Sequence, residues 1–121
     1  MNAEEPRSIL VIDDDPDVRF VIRTTLEEEG YTVNEVGDGW GAITAVQERR
    51  PDLAILDVML PGIDGEAVAT ALRLMEGVPI LVVTGRRDTS VVVQRLGGYA
   101  VLRKPFSIGD LVEAVEQGLR G

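Results

Sequence analysis

The chain has 121 residues, the usual size of one domain, and 45% of them are hydrophobic, which is enough for one buried core. It has no cysteine, which excludes disulfides and thiolate metal sites, and no histidine, which removes the commonest general base. The net charge of −9 repels nucleic-acid backbones and anionic membranes, so we expect neither as a direct partner. The sequence shows no signal-peptide pattern and no apolar run of membrane-spanning length, which predicts a cytoplasmic location.

Five apolar stretches rich in β-branched residues alternate with segments of helical periodicity. We predict strands at residues 9–12, 31–36, 53–58, 79–83 and 99–102. We predict helices from Pro16 up to Gly30 and at residues 39–50, 65–76 and 108–119. Asp15 followed by proline is typical of a helix start. Residues 88–96 predict only a short or irregular fourth helix, because their three consecutive valines are β-branched and form helices poorly.

The strand pattern predicts the fold class. The first, third and fourth strands are apolar on both faces, which is typical of a parallel sheet covered by helices on both sides. Alternating strands and helices with right-handed crossovers predict a doubly wound α/β domain with a five-stranded parallel sheet. No linker, repeat or low-complexity tract interrupts the chain. We therefore expect residues 1–121 to form a single domain with its core at about residues 8–119.

Polar residues follow the predicted strands at their carboxyl ends, which meet at one edge of a parallel sheet. Asp13 and Asp14 follow the first strand, and Asp57 lies within the last turn of the third. Thr84 follows the fourth strand and Lys104 the fifth. Each residue alone has a plain structural explanation, such as an acidic helix start or a surface turn. Their occurrence at four strand ends together predicts a functional site.

These residue types suit a metal-assisted phosphoryl-transfer site. Carboxylates from different strands are the oxygen ligands that Mg²⁺ prefers, and a cation would relieve the repulsion among the four carboxylates of residues 13–17. Asp57 interrupts an apolar run and would be the nucleophile, because a carboxylate forms an acyl phosphate once a metal neutralises the phosphoryl charge. The Thr84 hydroxyl and Lys104 would bind the transferring oxygens.

The chain resembles the receiver domain of two-component response regulators, the CheY-like family, over about residues 8–119. The matching segments, in the family's order, are ILVIDDDPDVR, PDLAILDVMLPGIDG, PILVVTG and LRKPF. The resemblance implies a flavodoxin-like sheet of order 2-1-3-4-5. It also implies that Asp57 accepts a phosphoryl group from a partner histidine kinase or phosphotransfer protein, since the chain has no histidine of its own.

The resemblance also implies further details of the site. Asp14 and Asp57 would bind Mg²⁺ directly, Asp13 would bind it through water, and the Met59 backbone carbonyl would complete the protein ligands. The Lys104–Pro105 peptide bond would be cis. A downstream protein target, or an output domain outside this sequence, would receive the signal. The sequence leaves the oligomeric state open, a homodimer included.

Two departures from the family pattern concern the conformational switch. Receivers commonly carry an aromatic residue three positions before the lysine, where this chain has Val101. The stretch from Thr84 to Lys104 is shorter than usual and lacks the acidic pair that often precedes that aromatic. Thr84 can still move toward a phosphoryl group. Val101 is too small to follow that movement as a large aromatic ring would. We therefore predict that phosphorylation acts by ordering residues 85–98.

Other classes of protein fit the residues less well. A haloacid-dehalogenase-type phosphatase needs a second aspartate two residues after the nucleophile, where Met59 stands. A flavodoxin-like nucleotide binder needs a phosphate loop rich in glycine, serine or threonine after the first strand, where this chain has carboxylates. A pseudo-receiver acting only through protein contacts is the second interpretation, although such domains usually lose part of the acidic set or the lysine. The residues therefore favour a phosphoaccepting signalling domain over an enzyme.

Overall fold

The structure of the protein is a computed structural model, and it describes residues 6–57, 77–85 and 99–120. The predicted helices at 65–76 and 88–96 and the Met59 ligand lie outside the described residues. The strands are β1 (Ser8–Ile12), β2 (Thr32–Val36), β3 (Leu53–Asp57), β4 (Ile80–Thr84) and β5 (Ala100–Arg103). The described helices are α1 (Pro16–Glu28), α2 (Gly39–Glu48) and α3 (Ile108–Arg120). Within these residues no helix is long and apolar enough to cross a membrane.

The five strands form one parallel sheet in the order β2-β1-β3-β4-β5, as predicted. The fourth and fifth strands each begin and end one position later than predicted, because Thr84 and Arg103 pair with each other and extend the ladder. The Lys104 amide then donates to the Thr84 carbonyl at 2.9 Å. This last bond holds the chain after β5 against the carboxyl edge.

Helix termini follow from local residue chemistry. The Asp15 side chain accepts a hydrogen bond from the Asp17 amide at the start of α1, with proline as the first helical residue, as predicted. Gly30 has φ +95° after the end of α1, a conformation that favours glycine. The helix α2 ends at Glu48 and does not reach residue 50, because Pro51 restricts the residue before it to extended conformations.

The three central strands of the sheet are buried on both faces, as their composition predicts. All five residues of β1, β3 and β4 are buried. The core on the α2 face consists of Leu10, Ile12, Ala42, Val46, Ala54, Leu56, Val78, Ile80 and Val82. The core on the α1 and α3 face consists of Ile9, Val11, Ile22, Leu26, Val33, Leu53, Ile55, Leu81, Val83, Leu111 and Val115. Two apolar layers of this kind hold the strand ends in fixed positions.

The helix α3 is fixed to the sheet by Tyr99 and Gly118. The Tyr99 hydroxyl donates to the Ala114 carbonyl at 2.8 Å. A Cβ on Gly118 would collide with the Tyr99 ring and with a methyl group of Leu53, which is fully buried. Glycine is therefore required at this helical position for packing.

This packing predicts that Gly118→Ala destabilises the protein. Alanine is favoured over glycine in a helix by about 1 kcal/mol, but overpacking a core costs about 1–3 kcal/mol, so we expect a net loss. Urea denaturation would measure it. Gly109→Ala is the matched control, because nothing lies within 4 Å of a Cβ at that position, and it should leave stability unchanged or slightly raised. A Gly118→Ala protein as stable as the wild type would contradict this packing.

Candidate functional site

Three carboxylates meet at the carboxyl edge of the sheet. Asp13, Asp14 and Asp57 each offer one carboxylate oxygen, and these oxygens lie within 4.8 Å of one another. Asp13 is 2% exposed and Asp57 5% exposed, whereas Asp14 faces solvent. The parallel sheet produces this convergence, because β1 and β3 are neighbours and both end here. Two buried carboxylates at such a distance require a compensating cation.

Lys104 supplies that cation within the protein. Its Nζ donates to Asp13 Oδ2 at 2.9 Å and to Asp57 Oδ2 at 3.1 Å. It is the single lysine of the chain. The Lys104–Pro105 peptide bond is cis, as predicted. The ammonium therefore lies between the two buried carboxylates.

Burial and charge shift the ionisation of this group of residues. Burial raises the pKa of the Asp13 carboxyl, outweighing the hydrogen bonds from Asp15 and Lys104 that lower it. Burial alone would lower the pKa of the Lys104 ammonium. The hydrogen bonds and negative charges of Asp13 and Asp57 outweigh that effect and raise this pKa above its ordinary value. Lys104 consequently stays charged at neutral pH.

The other carboxylates of residues 13–17 have separate environments. The Asp15 amide donates to Asp13 Oδ1 at 2.9 Å, while the Asp15 side chain caps α1. Asp17 lies in the first turn of α1, where the helix dipole favours a negative charge. Only Asp13 and Asp14 of the four are placed toward Asp57. Two of the four carboxylates thus belong to the site, and the other two belong to the start of α1.

The two candidate switch residues lie on β4 and β5. Thr84 is fully buried, one position beyond Val83, which pairs with Asp57. Val101 pairs with Val82 and packs, partly buried, against the α2-face core. Position 101 therefore carries a small aliphatic side chain in the sheet, and an aromatic residue, Tyr99, stands two positions before it.

Sequence reasoning missed an ion-pair network beside the site. Arg19 on α1 donates from Nη1 to the Asp13 carbonyl at 2.6 Å and from Nε to Glu35 Oε1 at 2.8 Å. Arg23 donates to the other Glu35 oxygen at 2.7 Å. The two arginines are spaced i, i+4 on one helix face, which is the signal that could have revealed the network. Their meeting with a glutamate on β2 depends on the tertiary fold.

The donor set fits a magnesium ion. All three side-chain donors are hard carboxylate oxygens, and the solvent-facing Asp14 leaves room for the waters that Mg²⁺ retains. Lys104 already occupies one oxygen of Asp13 and one of Asp57, so an entering cation would share these carboxylates with the ammonium. The charge of Asp57 can thus be balanced both by Lys104 and by a bound cation.

Comparison with known proteins agrees with this fold. The family model of the response regulator receiver domain matches residues 9–116, and the chain belongs to this family. The DNA-binding response regulator MtrA of Mycolicibacterium smegmatis is 45% identical over 114 residues, which are 93% of this chain and 50% of that protein. The transcriptional regulatory protein PdtaR of Mycobacterium tuberculosis H37Rv is 38% identical over 118 residues, 95% of this chain and 58% of that protein.

Solved structures show the same receiver fold. The chemotaxis response regulator CheY4 of Vibrio cholerae superimposes with a TM-score of 0.87 at 28% identity, covering 94% of this chain and 99% of that one. The receiver domain of NtrX from Brucella abortus gives a TM-score of 0.86 at 31% identity, covering 93% and 98%. The chain spans about half the length of the curated relatives it matches.

The family determines the class of function. The protein is a CheY-like receiver domain of two-component signalling. The pseudo-receiver interpretation is not favoured, because the acidic residues and the lysine are all present.

The position of Lys104 predicts that Lys104→Met is destabilising in metal-free buffer. Removing one partner of a buried ion pair costs about 3–5 kcal/mol, and we expect about 2–3 kcal/mol because the Lys104 side chain is 25% exposed. Denaturant unfolding measures the difference. The exposed neighbour supplies the control, since Arg103→Met should change stability by less than about 0.5 kcal/mol.

The stability difference between the wild type and Lys104→Met depends on pH. Because the Lys104 pKa is raised in the folded protein, its contribution is fully present below 10.5, the ordinary lysine value. The contribution is lost as the pH rises through the raised pKa. Equal stability of the Lys104→Met and wild-type proteins at neutral pH would show that the ammonium does not compensate the two carboxylates.

Proposed function

We propose that Asp57 accepts a phosphoryl group from a histidine on a partner kinase or phosphotransfer protein, with Mg²⁺ as cofactor. The observation that carries the proposal is the 5%-exposed Asp57 carboxylate, 3.1 Å from the Lys104 ammonium and beside two further carboxylates. Asp13, Asp14, Asp57 and the Met59 carbonyl would hold the ion. When bound, Mg²⁺ would neutralise charge on the carboxylates and on the phosphoryl oxygens.

The transfer itself requires little of the protein beyond positioning. An Asp57 carboxylate oxygen attacks phosphorus, the bond from phosphorus to the donor imidazole nitrogen breaks, and an acyl phosphate forms on Asp57. Lys104 lies 3.1 Å from Asp57 and would bind a phosphoryl oxygen as negative charge accumulates there. Thr84 ends the neighbouring strand, and its hydroxyl would donate to a second oxygen.

An apolar hollow beside the site offers a surface for the donor protein. It has a volume of about 430 Å³ and lies between α1 and the turn after β5. Its lining residues are Asp17, Val18, Val21, Lys104, Pro105 and Phe106. Lys104 belongs both to this hollow and to the site, so a partner seated here would bring its histidine near Asp57. We infer that the kinase docks on this face.

Chemical phosphorylation tests the role of Asp57. Incubation with acetyl phosphate and Mg²⁺ should add one phosphoryl group, because the small donor needs no docking surface, and intact-protein mass spectrometry would detect it. Asp57→Asn should abolish the adduct. Asp14→Ala should reduce the amount of adduct that Mg²⁺ allows to form. Asp52→Asn is the matched control, because Asp52 accepts the Ser8 amide far from the site. An unmodified wild type, or an equally stable adduct on Asp57→Asn, would refute the proposal.

The signal would leave the site through Thr84. With the small Val101 in place of a ring, we infer that phosphorylation acts on residues 85–98, most of which lie outside the described residues. Amide hydrogen exchange with beryllofluoride and Mg²⁺, a phosphoryl mimic, would test this. Protection should rise most over residues 86–98. Full protection of that segment before the mimic is added would rule out an ordering switch.

The output of the whole protein is a further proposal. We infer that residues 1–121 form a single receiver domain that works in the cytoplasm. It would act on a downstream protein target or through an output domain outside this sequence. Some relatives are DNA-binding response regulators, but the net charge of −9 argues that any DNA contact falls outside these residues.

A further inference from the structure

The backbone of Asp13 is held by two contacts besides those of its carboxylate. Its amide donates to the Val36 carbonyl at 3.2 Å, and its carbonyl accepts from Arg19 Nη1 at 2.6 Å. Asp13 is thereby tied to the end of β2 and to α1 at once. The orientation of its carboxylate toward Asp57 depends on this fixed backbone.

Arg19 is itself held in place from two sides. Glu35 on β2 accepts its Nε at 2.8 Å and accepts Arg23 with its second oxygen, so the glutamate is neutralised by two guanidinium groups. A Cβ on Gly37 would lie 3.1 Å from Arg19 Nη1, so glycine leaves room for the guanidinium beside the Asp13 carbonyl. Arg19 is 19% exposed and Glu35 25%, which limits solvent screening of this pair.

We propose that Arg19, oriented by Glu35, is a positioning residue for Mg²⁺ binding, acting through the Asp13 backbone. This inference rests on the proposed magnesium site. Groups that orient a metal ligand without touching the metal typically change its affinity by about 10–100-fold when they are removed. The guanidinium fork makes the role specific to arginine, because a single ammonium cannot hold Glu35 and the Asp13 carbonyl together in this geometry.

The direction of the effect separates positioning from simple electrostatics. Arg19 carries a positive charge next to an acidic cluster. By charge alone, its removal would reduce repulsion of the cation and tighten Mg²⁺ binding. If Arg19 positions Asp13, its removal weakens binding in spite of the lost repulsion. Arg23 is the charge-matched comparison, since it pairs with Glu35 but its contacts are to Glu35, Glu27 and the Phe20 ring.

The experiment measures the apparent Kd for Mg²⁺ from the dependence of the melting temperature on Mg²⁺ concentration. We expect Arg19→Met to weaken binding roughly tenfold. Arg19→Lys, which keeps the charge, should also weaken binding. Arg23→Met should stay within about twofold of the wild type, because partly exposed pairs contribute little. Each Kd comes from a shift relative to the same variant without metal, so an overall loss of stability does not imitate the result.

Phosphorylation by acetyl phosphate gives a second measurement. The rate for Arg19→Met should fall at low Mg²⁺ and recover at saturating Mg²⁺, because only the population with bound metal is reduced. A Kd for Arg19→Met that is unchanged or tighter, or a wild-type Kd for Arg19→Lys, would overturn the positioning role. Asp14→Ala identifies failure of the site itself. If neither the wild type nor Asp14→Ala responds to Mg²⁺, the proposed magnesium site falls, and this inference with it.

Discussion

The bridge from Lys104 to Asp13 and Asp57 is the interaction on which the rest of this site depends. Two carboxylates with 2% and 5% exposure would repel each other strongly, by about 4 kcal/mol at 4 Å for an effective dielectric constant of 20. The ammonium lies 2.9 and 3.1 Å from them and offsets that repulsion. The bridge also joins the end of β5 to the ends of β1 and β3. A change of charge at Asp57 therefore acts directly on Lys104, the first residue after β5.

The hydrophobic layers make such a bridge possible. Burial of both sheet faces fixes the strands in register, and the register sets where each strand ends. The polar residues lie at the last position of a buried strand or just after it, where the backbone can no longer shift without disturbing the core. This arrangement brings Asp13, Asp14, Asp57 and Lys104 together at one edge, next to the apolar core clusters of the two sheet faces.

The helix α1 serves both the site and the adjoining surface. Its first turn is capped by Asp15, its Arg19 holds the Asp13 carbonyl, and its Val18 and Val21 line the apolar hollow next to Lys104. One helix thus connects the acidic turn, the edge strand β2 and the proposed docking face. The ring of Tyr99, in contrast, is bonded to α3 through Ala114. The Tyr99 ring consequently stabilises the helix packing, and Val101 pairs with Val82 on the neighbouring strand.

The sequence by itself determined the sheet, its parallel topology and the set of residues at its edge. Apolar runs in β1, β3 and β4 can be buried only by helices on both faces, and the polar residue after each run must then lie at the carboxyl edge. The pairing of side chains was decided by the tertiary structure alone. Lys104 and Asp13 are 91 positions apart, and Arg19 meets Glu35 across a helix and a strand. Such contacts depend on the twist of the sheet and on the placement of α1 on it. Residue type and spacing along the chain do not determine either of these.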